Sequence, residues 1–473
     1  MGRRQEAEAH PEVETDLALG SQIELDITSL AAEGDGVGRY GNLAVFVPQA
    51  APGDRLLVRV NVLAARHVRA AIVRVLSPAA DRTAPPCPIY QECGGCTWQH
   101  LAYPTQLEWK RTIVVEALRR LGQVRGAEEL VRPVLPADPP WRYRHKMAVP
   151  FAPPLGRGKP VQAGFFAPRS HRIVPMESCL IQHPLLDRVL AETLTLVSAF
   201  GVPAYDERTR RGALRHLLAR VSSDGAQVLV ALVTAQDAFP WGRALAEGLM
   251  ARVPGCVGVV QNINTAPGNA ILGRQTRPLA GNEHLLETLD GLRFLISAPS
   301  FFQVSPAQAA RLYRVAVGQA RLTATDRALD LYAGVGTLSL FLAREAAAVD
   351  AVEEVPEAVR DGRRNAELNT ADNLRFHQGL VERVLPALVR AGLRPDVAVL
   401  DPPRRGVDQQ VLAVLGTARP RRIVYVSCNP ATLARDVRLL AGSGYALVEV
   451  RPVDMFPQTA HVECSALLEL GHS

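Results

Sequence analysis

The chain has 473 residues, of which 48% are apolar, with a net charge of +6 and seven cysteines. That length suits two or three domains, and the apolar share allows large cores. No uninterrupted apolar run is long enough to span a bilayer, and the opening "MGRRQEAEAHPEVETD" lacks the apolar core of a secretory signal. A cytoplasmic chain without a disulfide framework is therefore expected, and the basic balance, nearly all of it arginine, suits a polyanion such as RNA.

Residues 1–19 read as a disordered lead-in. From 20 to 79 short β-rich runs, "IELDITSL", "LAVFVPQ" and "RLLVRVNVLAARHVRAAIVRVL", alternate with turn segments, which predicts a small all-β barrel. The run "EGDGVGRYGN" is expected to connect a hairpin rather than hold phosphate, because no helix follows it and it lacks a Gly-Lys-Ser/Thr ending. Residues 80–100 are rich in Pro, Gly and Cys, and "YPTQLEWKRTIVVEALRRLG" then has helical spacing. A strand-rich stretch from about 135 to 295 carries one expected amphipathic helix, near "HPLLDRVLAETLTLVSAFG". Within it Arg142, Arg144, Lys146 and Arg215 are candidate RNA contacts or ordinary surface charges.

From about 300 onward strands alternate with helices: "RALDLY", "AAVDAVEE", "LRFHQG", "DVAVLDPP" and "RIVYVSC". This predicts a doubly wound parallel sheet. "YALVEVRPVDMF" and "VECSALLEL" have no helix between them and are expected as an antiparallel hairpin, so the layout is that of a class I methyltransferase. Gly334 and Gly336 follow the first strand, where they let the backbone approach a ligand, and Glu353 ends the second, placed to accept from ribose hydroxyls. The full Gly-x-Gly-x-x-Gly fingerprint is absent, which favours S-adenosylmethionine over a dinucleotide.

Strand four ends in Asp401-Pro402-Pro403-Arg404. Enzymes that methylate exocyclic amines carry an aromatic after such a segment, and cytosine-5 enzymes a Pro-Cys, so neither target is favoured. Strand five ends at Cys428, followed by Asn429 as a helix cap and Pro430 at the first helical position. A free cysteine is often simply packed, but a helix N-terminus favours a thiolate. If the last strand lies antiparallel beside strand five, Glu463 meets Cys428 at one edge. A thiolate that adds to carbon 6 of uracil makes carbon 5 nucleophilic, and a carboxylate can then remove the carbon 5 proton. Cys256 and Cys464 have apolar, strand-like surroundings and read as structural. Cys87, Cys93, Cys96 and Cys179 could together hold either zinc or an iron–sulfur cluster.

"FFQVS", "DLYAGVG", "DPPRRG", "YVSCNPATLARD" and "HVE" together resemble the RNA (uracil-5-)-methyltransferases that carry an iron–sulfur cluster and an N-terminal TRAM barrel, above all the bacterial 23S ribosomal RNA branch. The resemblance covers the chain from about residue 20 to its end. It implies a multidomain α/β protein: a TRAM/OB-like RNA-binding barrel at 20–79, a central α+β cluster-binding domain at 80–100 and 135–295, and a Rossmann-like methyltransferase domain at 101–134 and 296–473. It implies Cys428 as nucleophile and Glu463 as base, and Gln303, Tyr332, Thr337, Glu353 and Asp401 around S-adenosylmethionine. It also implies a structural [4Fe-4S] cluster on Cys87, Cys93, Cys96 and Cys179. Ser305 and Leu380 stand where the family commonly has Asn and Asp or Asn. The implied partner is RNA, 23S rRNA before tRNA, with no membrane and a monomeric chain. A tRNA uridine-54 methyltransferase is the nearest alternative, and a non-catalytic, redox-sensing RNA-binding protein a more distant one.

Overall fold

The computed structural model describes residues 17–471 except 155, 157 and 158. The lead-in expected over 1–19 lies outside the described residues up to residue 16. Two compact units are present: residues 1–86 with 96–106 and 458–460, and residues 87–95 with 107–457 and 461–473.

In the first unit β1 (Gln22–Leu30), β2 (Gly36–Tyr40), β3 (Leu43–Val47), β4 (Arg55–Ala64) and β5 (His67–Ser77) close into a barrel in the order β1-β2-β3-β5-β4. Strict alternation in β1 sends Ile23, Leu25 and Ile27 inward, against Val45, Val58 and Val68. The Gly-rich run does form a hairpin connection, and part of it is β2 itself. Gly38 is required there by close approach, since a Cβ would lie 2.5 Å from the Asp26 carbonyl oxygen. Trp98 is fully buried in this unit and donates its indole N–H to Gly34 O at 3.0 Å.

In the second unit come α1 (Tyr103–Arg120), which begins in the barrel unit, and α2 (Ala127–Leu130). A mixed layer follows: β6 (Lys146–Ala152), β7 (Gln162–Phe166), β8 (Ile173–Pro175), α3 (Pro184–Ala199), β9 (Leu214–Val221), β10 (Val228–Thr234), α4 (Gly242–Arg252), β11 (Cys256–Ile263) and β12 (Gln275–Gly281). Its strands form one sheet, β12-β11-β10-β9-β6-β7-β8. Two helices cover it rather than the single one expected. The second, "GRALAEGLMAR", holds two glycines that weaken its intrinsic signal, and it is stabilised by burying Leu245, Ala246 and Leu249. A hairpin of β13 (His284–Leu289) and β14 (Leu292–Ser297) leads out.

The remaining elements are α5 (Pro306–Ala320), β15 (Arg327–Leu331), α6 (Thr337–Ala343), β16 (Ala348–Glu353), α7 (Pro356–Leu368), β17 (Leu374–Gln378), α8 (Val381–Arg390), β18 (Val397–Leu400), α9 (Gln409–Ala418), β19 (Arg422–Ser427), α10 (Pro430–Ala441), β20 (Tyr445–Val453) and β21 (Glu463–Leu470). All seven expected strands form one sheet, β17-β16-β15-β18-β19-β21-β20. It is parallel except for β21, which runs antiparallel to both neighbours. Both faces are covered, which is why these strands read as continuous apolar runs. Ala328, Val399, Val424 and Leu467 fill one face, and Leu329, Leu400, Tyr425 and Leu468 the other. Each large side chain so buried contributes about 1.5–3 kcal/mol.

Candidate active site at the C-terminal edge of the sheet

A cavity of about 1460 Å³ opens at the C-terminal ends of β15, β16, β18 and β19. One wall of it begins where β15 ends. Tyr332 (φ 68°), Gly334 (φ 57°) and Gly336 (φ 79°) turn the chain through left-handed conformations into α6. The Gly334 N–H donates to Glu353 Oε2 at 2.9 Å, and Val355 N–H to Glu353 Oε1 at 2.7 Å. These two amides fix the carboxylate in place. Gln303, Tyr332, Gly334, Glu353 and Asp401 line the cavity. Gly336 and Thr337 do not. Gly336 makes room for a neighbour, since a Cβ there would lie 2.6 Å from Phe376 Cζ, and Thr337 is buried at the start of α6.

Cys428 and Glu463 line the same cavity. Asn429 caps α10 by accepting from Ala431 N–H at 3.1 Å, as its position predicts, and also donates to Arg404 O at 3.0 Å. One side chain thus ties the cysteine loop to the Asp401–Arg404 loop. Burial pushes the Cys428 thiol up to about 11, with Glu463 and Asp401 adding to the shift and Arg404 opposing it. The expected thiolate preference from the helix N-terminus is therefore outweighed by desolvation and two carboxyls. Burial also raises Glu463 to about 8, helped by Asp401 and opposed by Arg404, and raises Asp401 to about 7. Cys428, Glu463 and Asp401 thus hold their protons together, with Arg404 opposing the shifts of Cys428 and Glu463.

Of the structural cysteines, Cys464 is fully buried in the sheet core and Cys256 begins β11. Of the basic candidates, Arg215 is buried and donates to Asn264 O (2.8 Å) and Ala266 O (2.7 Å), and Arg142 donates to Cys179 O and to Asp187, both at 2.8 Å. These two brace loops, Arg215 from a buried position. The sequence reading missed Phe301, which is 63% exposed and lines the cavity while Phe302 beside it is buried. Two successive phenylalanines between a strand and a helix were the available signal, since adjacent extended residues point opposite ways.

Three of the four expected cluster thiols, Cys87, Cys93 and Cys179, interact electrostatically in series. Burial raises Cys93, with Cys87 adding to the shift, and burial raises Cys179 to about 11, with Cys93 adding to it. Gly95 N–H donates to Cys93 Sγ at 3.4 Å, and the Ile181 and Gln182 amides donate to the Cys179 sulfur, bonds that favour bound thiolates. Cys96 lies in the segment that groups with the barrel. Among the described residues no group of three or more His, Cys, Asp or Glu side chains is gathered to hold a metal ion. The expected ligand set is thus not assembled as a metal site.

Residues 290–470 match the model of the tRNA (Uracil-5-)-methyltransferase family, and residues 17–73 that of the TRAM domain. An uncharacterized RNA methyltransferase from Gloeobacter violaceus is 43% identical over 454 residues, covering 96% of this chain and 97% of its own. Another, from Halalkalibacterium halodurans, is 41% identical over 448 residues, covering 95% and 97%. The solved tRNA (uracil-54, C5)-methyltransferase of Pyrococcus abyssi, in complex with S-adenosyl-L-homocysteine, is 27% identical with a TM-score of 0.74, covering 94% of this chain and 99% of that one. With this fold, this cavity and relatives matched over nearly their whole length, the chain belongs to the RNA (uracil-5-)-methyltransferase family and carries an N-terminal TRAM domain.

Proposed function

We propose that the chain transfers a methyl group from S-adenosylmethionine to carbon 5 of a specific uridine in RNA, with 23S rRNA the first candidate, through a covalent adduct with Cys428. The observation that carries this reading is the meeting of Cys428, Glu463 and Asp401 in one cavity with the Gly334–Glu353 wall. Gln303, Tyr332, Gly334, Glu353 and Asp401 hold the cofactor, and Gly336 and Thr337 shape its loop from behind. Leu380 and Val355, 38% and 45% exposed, both line the cavity, and these apolar surfaces suit the faces of adenine where the family commonly has a polar group. Phe301 suits stacking on an unpaired base.

When bound, S-adenosylmethionine supplies the methyl group as an electrophile on a sulfonium. Cys428 supplies the nucleophile: its thiolate bonds to carbon 6 of the uracil, and the electron pair of the 5,6 double bond moves toward carbon 5 and the carbonyl. Carbon 5 can then take the methyl group. Glu463, ionised, accepts the carbon 5 proton, the double bond re-forms and the sulfur leaves as thiolate. Arg404 partly offsets the negative charge that gathers on Cys428 and Glu463.

The barrel at 20–79 serves RNA binding, the central segments 80–100 and 135–295 hold the substrate, and 101–134 with 296–473 perform the transfer. A [4Fe-4S] cluster on Cys87, Cys93, Cys96 and Cys179 is part of this reading through the family resemblance. It is supported by the Cys87, Cys93 and Cys179 interactions, and it stands against the lack of a gathered metal site. No chemical step depends on it. No helix among the described residues is long and apolar enough to cross a membrane. A monomer working in the cytoplasm is part of this reading.

The Pyrococcus abyssi likeness favours a second reading, uridine 54 of tRNA. Mass spectrometry of nucleosides from purified 23S rRNA and tRNA of a deletion strain decides between them. Loss of 5-methyluridine from rRNA supports the first reading, loss from tRNA the second, and no loss from either overturns both.

A further inference from the structure

Arg220 lies on β9, a strand buried along its whole length, and is itself only 3% exposed. Burying a guanidinium is unfavourable unless its charge is used. Arg220 makes no ion pair within 4 Å among the described residues, and the buried Glu287 carboxylate supplies an opposing charge from farther away. Its Nη2 donates to Ser300 O at 2.5 Å and its Nη1 to Phe302 O at 3.4 Å. Those two carbonyls flank Phe301. From the other side the Asp361 carboxylate accepts from Ser300 Oγ at 2.6 Å and Ser297 Oγ at 2.7 Å. At the far end His145 N–H donates to Val304 O at 2.7 Å. The segment from Ser297 to Val304 is thus held at Ser297, Ser300, Phe302 and Val304, and all of it except Phe302 lines the cavity, Phe301 and Gln303 included.

We propose that Arg220 is a positioning residue, which acts through the Ser300–Gln303 segment to set Phe301 against the target RNA and Gln303 against the cofactor. This rests on the reading of the cavity as the site of uridine methylation. Only a planar fork reaches carbonyls two residues apart from one buried stem, so arginine and lysine are not equivalent here. The central sheet, which also lines the cavity with Ile263, Gln275, Thr276 and Arg277, thus shapes the reaction site through this side chain as well, although it contributes neither nucleophile nor base.

The test uses the full chain, labelled S-adenosylmethionine, and total RNA from a strain lacking the gene as methyl acceptor. Arg220→Met should lower kcat/KM for RNA about a hundredfold, the scale of a misplaced reacting group. Arg220→Lys, able to reach one carbonyl, should fall between Arg220→Met and wild type. In a Phe301→Ala, Gln303→Ala background Arg220→Met should add less than a further threefold, because the side chains it positions are gone. Independent, multiplying losses overturn the proposal, as does full activity of Arg220→Met. If Arg220→Met does not fold, the same cycle run with Arg220→Lys decides in the same way. A wild-type chain that transfers no methyl group to uridine overturns the functional reading instead, which keeps the two failures apart.

Discussion

Ser427, the last residue of β19, pairs with Cys464 of β21, so the next step outward brings Cys428 opposite Glu463. Antiparallel pairing places opposed Cα atoms about 4.5–5.5 Å apart. The proposed nucleophile and base are therefore set by strand register, 35 positions apart in the chain, and not by loop flexibility. Register also separates the two cysteines: Cys464 belongs to the core on one face, packed with Tyr425 and Leu468.

The protons held in this cavity predict a pH dependence specific to the methyl donor. Asp401, Glu463 and Cys428 are raised to about 7, 8 and 11. A sulfonium favours their ionised forms, so S-adenosylmethionine should bind more tightly as pH rises from 6 to 9, by up to about tenfold per unit if one proton is released. S-adenosylhomocysteine has no sulfonium and should show a flatter profile. Calorimetry with both ligands in two buffers measures the released proton directly, and equal profiles would sink the idea. The sign for stability is opposite. Both carboxyls have folded pKa values above their unfolded ones, about 4, so their contribution to stability falls as pH rises from about 4 to 8.

Lys110 of α1 and Asp454 form a fully buried ion pair at 2.5 Å, and Lys110 also donates to Phe456 O at 3.0 Å. Burial lowers the Lys110 pKa, while Asp454 opposes that shift. Lys110→Met removes the buried cation beside the Asp454 carboxylate and should destabilise the chain by about 3–5 kcal/mol. Adding Asp454→Leu should recover most of this loss in urea denaturation. A double variant as unstable as Lys110→Met alone would show that the loss is one of packing rather than charge.

Much of this arrangement was legible in the sequence because buried parallel strands leave continuous apolar runs whose ends mark one edge. Gly334, Glu353, Asp401 and Cys428 were each readable as strand-end residues, and Glu463 followed once the last strand was taken as antiparallel. What was not legible depends on tertiary burial. Arg220 sits in "LRHLLARV", where it resembles an outward charge on an alternating strand, yet every position there is buried. Arg215 is hidden in the same way. The upward shift of Cys428 comes from carboxyls 27 and 35 residues away, which no local pattern reports.

Gly336 offers a contained test of the cofactor loop. Its φ of 79° strains any other residue, and an added Cβ would lie 2.6 Å from Phe376 Cζ. The ring cannot simply retreat, because it already lies 2.5 Å from the Cβ position of Gly362. Gly336→Ala should cost about 1–3 kcal/mol and weaken S-adenosylmethionine binding. Phe376→Leu should restore part of both in thermal melts and binding titrations. No rescue would assign the whole effect to backbone strain.

The strongest test of the base is Glu463→Gln. Glutamine keeps the size and hydrogen-bonding capacity of glutamate and cannot take a proton at neutral pH. Cys428 should still add to carbon 6 and carbon 5 should still receive its methyl group, so the adduct carries both the methyl group and the carbon 5 proton. Elimination should then slow by about a hundredfold or more. Incubation with target RNA and methyl-labelled cofactor should leave a labelled protein–RNA band on a denaturing gel. Adding Cys428→Ala should abolish the band, since no sulfur is left to hold the base. Normal turnover by Glu463→Gln, or no band while RNA and cofactor still bind, would return Glu463 to a buried strand-end carboxyl. The proton would then leave to another acceptor, for which Asp401, raised to about 7 in the same cavity, is the first to examine by Asp401→Asn.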